Sequence, residues 1–175
     1  MKRFLSDPFF SVYASGSGMA SELVDDNCVS FTVKLSRDAD VNVLRASFRL
    51  LVEKDAYGTG LDKSKKIYLM DTSSSGKITL SDGTEVAQLK VDEITTLRFV
   101  VDFNTCEIRV YKENGEIVSA ALAIPDGLGI TTGAQLKNCI SGKLFDMYVG
   151  SSNGKSTSTL LIYGIKAETT DVFAN

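Results

Sequence analysis

Apolar and polar residues alternate with a period of two through most of this chain. Val29, Phe31, Val33 and Leu35 alternate with Ser30, Thr32 and Lys34, the pattern of a strand with one buried and one wet face. Leu44, Ala46, Phe48, Leu50 and Val52 oppose Arg45, Ser47 and Arg49 in the same way. Leu97, Phe99, Val101 and Phe103 oppose Arg98, Val100 and Asp102; after a short turn at Asn104, Cys106, Ile108 and Val110 oppose Glu107 and Arg109, which reads as a hairpin.

Turn signals divide the remaining strands. Asn114-Gly115 predicts a type I′ turn, in which both residues take positive φ, and a further strand follows through Val118 and Ala120. Asp82-Gly83 makes a similar turn between residues 77–80 and 85–89, and Asn153-Gly154 separates residues 144–149 from 160–165. Residues 71–76, Asp-Thr-Ser-Ser-Ser-Gly, read as a flexible surface loop. Residues 134–139 suit one short turn of helix, and the long connection from Pro125 to Lys137 is expected to cross over instead of closing a hairpin. Ten to twelve strands without a long helix must bury their apolar faces on a second layer. The expectation is an all-β fold: one two-sheet antiparallel β-sandwich of jelly-roll type spanning residues 1–175.

Composition agrees and removes whole classes of chemistry. Val, Ile, Thr, Phe and Tyr supply 54 of the 175 residues, and there is neither histidine nor tryptophan. Without histidine there is no Ser-His-Asp or Cys-His nucleophile and no His-based zinc or iron site. A net charge of -3 has the wrong sign for a dedicated nucleic-acid surface. Cys28, Cys106 and Cys139 are too far apart for a metal-binding pair and read as buried free thiols, with one disulfide plus a free thiol as the alternative. The N-terminal apolar stretch is broken by Ser6, Asp7 and Pro8, and no apolar run approaches a membrane span, so neither a signal peptide nor membrane insertion is expected.

The ordered strands, and above all residues 96–118, TLRFVVDFNTCEIRVYKENGEIV, resemble the concanavalin A-like lectin and glucanase jelly roll, including its laminin G-like members. The resemblance covers about residues 9–168. It implies two curved sheets, a concave face able to form a glycan groove, rim loops that bind calcium in some members, and an extracellular or cell-surface setting. Glycosidases of this kind carry Glu-x-Asp-x-x-Glu on one strand. The nearest string here, Glu53-Lys54-Asp55-Ala56-Tyr57-Gly58, lacks the closing glutamate, so the paired carboxylates of a retaining mechanism are not assignable. Lyases on a related fold use histidine beside Tyr, Arg and Gln; this chain offers the last three but no histidine.

The candidate carbohydrate contacts are therefore non-catalytic. Arg45, Arg49, Arg98, Asp102 and Arg109 fall on the polar sides of their strands and suit planar hydrogen-bonding partners such as uronic acids or other sugars. They serve equally as a solvated sheet surface with cross-strand charge pairing. With no tryptophan to stack on a sugar, Tyr57 is the first aromatic candidate, because Asp55, Asp62 and two glycines mark its segment as an exposed loop; Tyr68, Tyr111, Tyr148 and Tyr163 are the others. Asp25-Asp26-Asn27 and Asp38, Asp40 and Asn42 gather oxygen ligands but do not match a calcium loop. No cofactor is expected, with calcium the one cation these loops would suit. The leading reading is a carbohydrate-binding-like module whose partner is a glycan. The alternatives are a structural or interaction domain that packs on a neighbouring domain or a second copy, and a glycan hydrolase or lyase.

Overall fold

The protein was analysed as a computed structural model, which describes residues 2–4, 10–14, 27–38, 44–51, 66–73, 75–139, 145–151, 160–168 and 170–174. Twelve strands are present: β1 (Lys2–Phe4), β2 (Phe10–Ala14), β3 (Cys28–Arg37), β4 (Leu44–Leu51), β5 (Lys66–Thr72), β6 (Lys77–Leu80), β7 (Glu85–Gln88), β8 (Thr95–Asp102), β9 (Glu107–Tyr111), β10 (Ile117–Ala121), β11 (Phe145–Ser151) and β12 (Leu160–Glu168). They form two six-stranded sheets, ordered β1-β12-β3-β8-β9-β10 (sheet A) and β2-β11-β4-β5-β6-β7 (sheet B), with antiparallel pairing throughout the ladders. This is the expected antiparallel β-sandwich. A 3-10 turn (Asp126–Leu128) and helix α1 (Gly133–Cys139) lie in the connection that carries the chain from β10 in sheet A to β11 in sheet B.

The alternating apolar positions supply the core. Val29, Phe31, Val33 and Leu35 of β3 and Leu97, Phe99 and Val101 of β8 are at most 2% exposed, and they meet Ile67, Leu69, Met70, Ile78 and Leu80 from sheet B in one cluster. Phe31 and Phe99 are directly opposed in the ladder, and their rings stack with centroids 5.0 Å apart.

Several sequence expectations change. The turns at Asp82-Gly83 and Asn114-Gly115 are not type I′, because only the glycines take positive φ, +88° and +85°. In each, the glycine amide donates to the carbonyl three residues back, Leu80 at 3.0 Å and Lys112 at 3.1 Å, which makes a type I turn closed by a left-handed glycine. Residues 71–76 are no loose loop: Asp71 and Thr72 belong to β5, and the Gly76 amide closes a turn onto the Ser73 carbonyl at 3.0 Å. The strands flanking Asn153-Gly154 lie in different sheets, so that segment connects sheets instead of making a hairpin. The second face of β3 is not uniformly wet, since Ser30 is 1% and Ser36 0% exposed.

Cys28 and Cys106 are free thiols, half-buried instead of buried. Cys106 ends the β8–β9 turn at φ +53°, and the Asp102 carboxylate fastens that turn by accepting the Asn104 amide at 2.9 Å. Among the described residues no helix is long and apolar enough to cross a membrane.

Candidate functional site

Part of sheet A's outer face, around Ser30, Arg109 and Tyr111, is covered by the chain's own C-terminal segment, residues 170–174, while Lys34, Arg98 and Lys166 of the same face stay exposed. After β12 the chain turns across β3 and β8 towards β9. Ser30 Oγ donates to the Thr170 carbonyl and accepts the Val172 amide at 3.2 Å. Asp171 Oδ2 accepts from Tyr111 Oη at 2.9 Å and from Arg109 Nη2 at 3.0 Å, while its Oδ1 takes the amides of Phe173 and Ala174. Phe173 packs on the Tyr111 ring with centroids 5.3 Å apart. Val100, an apolar residue on the otherwise polar side of β8, is 0% exposed. This strap accounts for the burial of Ser30.

The electrostatics of the strap follow from that geometry. Burial pushes the Asp171 carboxyl up, but the Tyr111 hydroxyl, the Phe173 and Ala174 amides and the Arg109 charge outweigh it, and the net shift is down. Burial and then the Asp171 partner raise Tyr111. Burial, followed by the Asp171 and Asp102 charges, raises the Cys28 thiol. Arg109 also holds Asp102 at 3.1 Å, so its guanidinium is committed within the protein.

Sheet B presents a different face. The register puts Arg49 opposite Tyr68 on one side and Asp146 on the other, and Ser47 opposite Asp71 and Tyr148. Directly opposed positions share a face of a sheet. Tyr68 and Asp71 are three residues apart and would face opposite sides of a regular strand. The ladder slips between Phe48 and Arg49, leaving Leu69 as the extra residue of a bulge, and Ile67, Leu69 and Met70 all turn into the core. The bulge thus brings Tyr68 and Asp71 to one side, where with Thr79 and Ser81 they line a shallow depression of about 240 Å³. Asp71 and Ser81 are exposed there, Tyr68 and Thr79 half-buried.

A third feature is a rim groove of about 230 Å³ where β7, the edge of sheet B, approaches β8 and β9 of sheet A. Arg98, Tyr111, Thr96 and Gln88 contribute to its walls.

The residues proposed from sequence are therefore distributed. Arg45 and Arg49 lie on β4 in sheet B, whereas Arg98, Asp102 and Arg109 lie on β8 and β9 in sheet A, so the arginines do not form one surface. The cause is strand order: strands with the same polar pattern are dealt to different layers. Asp102 and Arg109 are brought together, as an ion pair. Asp55, Tyr57 and Asp62 lie outside the described residues, as do Glu53, Asp25, Asp26, Asp40 and Asn42. Among the described residues no group of three or more His, Cys, Asp or Glu side chains is placed to hold a metal ion. Sequence reasoning missed Asp171, and the available signal was Val100, which breaks the polar side of β8 and requires a cover. It named Tyr68 but not Asp71 beside it, because a bulge leaves no mark in the alternation.

No known protein family matches the sequence, and no curated protein matches it. Similar solved structures include a sialidase (TM-score 0.57, 10% identity), over 97% of this chain and 15% of that one. A carbohydrate esterase from a Shiga toxin-encoding bacteriophage, phi24B, matches with TM-score 0.53 and 12% identity, over 97% of this chain and 80% of that one. A galectin from Caenorhabditis elegans superposes with TM-score 0.41 and 11% identity, over 94% of this chain and 95% of that one. This chain thus spans a small part of the sialidase and most of the esterase. At these identities the likeness is one of fold, a β-sandwich found within carbohydrate-active proteins.

Proposed function

We propose that this chain is a non-catalytic carbohydrate-binding module that receives a glycan on the face of sheet B carrying Arg49, Tyr68 and Asp71. One observation carries the reading: Tyr68 and Asp71 of this face line an open depression, with the Arg49 position opposite Tyr68 in the ladder, whereas on sheet A Arg109 and Tyr111 are already engaged by the protein's own strap. A tyrosine ring covers the C–H face of a sugar, a carboxylate accepts from vicinal hydroxyls, and a guanidinium donates to ring and hydroxyl oxygens. The fold shared with a sialidase and a carbohydrate esterase supports the reading. With it go a concanavalin A-like, laminin G-like description of the sandwich, an extracellular or cell-surface setting, and a site that works without a bound cofactor.

A glycan array with the full chain, read with and without calcium, tests this. Binding that survives chelation and drops about ten-fold in Tyr68→Ala supports it, since one aromatic stacking contact is worth about 0.5–1.5 kcal/mol beyond its buried area. Uniformly blank arrays, or binding indifferent to both Tyr68→Ala and Arg49→Gln, argue against it. Shortened products of a bound glycan in mass spectra would return the glycan hydrolase or lyase reading.

A further inference from the structure

The rim groove carries chemistry that the sheet-face reading does not use. Three cations line it, Lys90, Arg98 and Lys112. Lys90 is held by Glu93 at 3.1 Å and Lys112 by Glu116 at 2.9 Å. Arg98 is exposed and makes no hydrogen bond or ion pair among the described residues. Tyr111, next in β9 after the Val110 that pairs with Phe99, forms part of the wall; its hydroxyl is held by Asp171 and its ring packs on Phe173. Thr96 adds a hydroxyl and Gln88 its side-chain carbonyl, the Gln88 Nε2 being held by the Ser75 and Leu89 carbonyls at 2.8 and 3.2 Å, and Ile94, 53% exposed, adds an apolar surface at the same opening.

We infer that this groove is a second binding site, for a small carboxylate-bearing sugar, with Arg98 as the residue that reads the carboxylate. A planar guanidinium donates two parallel hydrogen bonds to a carboxylate, a geometry that a lysine or a neutral donor does not reproduce. Thr96 and Gln88 are suited to hydroxyls, and Ile94 with the fixed Tyr111 ring covers the apolar side of the ligand. Because the strap orders Tyr111 before any ligand arrives, little ordering cost remains for binding. Glu113 also lines the groove, exposed in the turn before β10, and opposes an anion there. That sign is itself a test, because removing this charge strengthens an anionic ligand and does not strengthen a neutral one.

The site is independent of the sheet-B face, and amide-resolved NMR titration of the full chain separates the two. Glucuronate is added to one sample, glucose to a second and inorganic phosphate to a third. The expected result is that glucuronate shifts amides of residues 94–98 and 110–113, while glucose leaves them in place and phosphate moves them only weakly. Arg98→Gln weakens the glucuronate response at least ten-fold, Arg98→Lys retains an intermediate response, and Glu113→Gln strengthens it. Unchanged amide positions elsewhere in Arg98→Gln show that the fold is intact. Equal responses to glucose and glucuronate, a phosphate response matching that of glucuronate, or a glucuronate response indifferent to Arg98→Gln would overturn the inference. Shifts confined to residues 68–81 would overturn it while leaving the sheet-B reading standing.

Discussion

Asp171 joins residues that the sequence sets far apart. Its carboxylate engages Arg109 and Tyr111, 62 and 60 positions earlier. Asp171→Asn keeps the shape but loses the charge, and urea unfolding at neutral pH is expected to show a loss of about 1.5–3 kcal/mol, the range for charge-assisted hydrogen bonds. The pH dependence has a definite sign. The Asp171 carboxyl titrates lower in the folded protein, so its stabilisation is present above the unfolded value near pH 4 and is lost as pH falls below it. Tyr111 titrates higher, so its share is present below about pH 10 and is lost as pH rises beyond that. Unfolding midpoints measured from pH 3 to pH 11 should fall at both ends, and Asp171→Asn should flatten the acid limb. Cys28 is tied to the same cluster: burial and two nearby carboxylates hold its thiol protonated, so alkylation at pH 8 should run several-fold slower than for a free thiol and speed up in Asp171→Asn. Val100 was the legible trace of all this, an apolar residue where alternation called for a polar one.

Hairpins were the most legible elements, and their turns show where the reading stopped. Asp-Gly and Asn-Gly located both turns correctly, yet Asp82 and Asn114 keep negative φ and use their side chains instead, accepting the Thr84 amide at 2.9 Å and the Glu116 amide at 3.0 Å. The dipeptide says that a left-handed residue is needed, while the length of the loop decides how many. Gly115→Ala isolates the backbone cost, because φ is +85° while nothing lies within 4 Å of the position a Cβ would take. A loss of about 1–2 kcal/mol in chemical denaturation is expected, with no change in core packing by near-ultraviolet circular dichroism. The strap is the least legible element: it has no periodicity and is held by side chains. Removing residues 170–175 uncovers Val100 and leaves Ser30, Arg109 and Tyr111 without partners, which should cost about 2–4 kcal/mol. The same truncation should bring up binding of a hydrophobic dye, read by fluorescence; an unchanged midpoint and no added dye signal would show that the strap does not protect sheet A.

At the scale of the molecule, the class of fold followed from alternation and strand number, but the assignment of strands to sheets did not. Strands β4 and β8 share a period-two alternation, broken in β8 by Val100, and end in opposite layers. Pattern sets which side of a strand is buried, not which neighbours it pairs with, and the arginines were separated for that reason. Strands from both ends of the sequence are woven together: β12 lies between β1 and β3, and β11 between β2 and β4. Such non-local pairing places folding in the slow class, about milliseconds to seconds. Each sheet therefore completes only when late strands arrive.

That weaving fixes where a tether can be attached. Lys2 is paired with Ile162 on β1, the edge of sheet A, and β10 forms the opposite edge. The Arg98 groove opens at the other side of the sandwich, where β7 is the outermost strand of sheet B. Immobilised through an N-terminal linker, the protein would stand with that groove turned away from the support, so a sensor surface built this way keeps it accessible to ligands in flow. Coupling through Lys90 or Lys112 would press the same groove against the support.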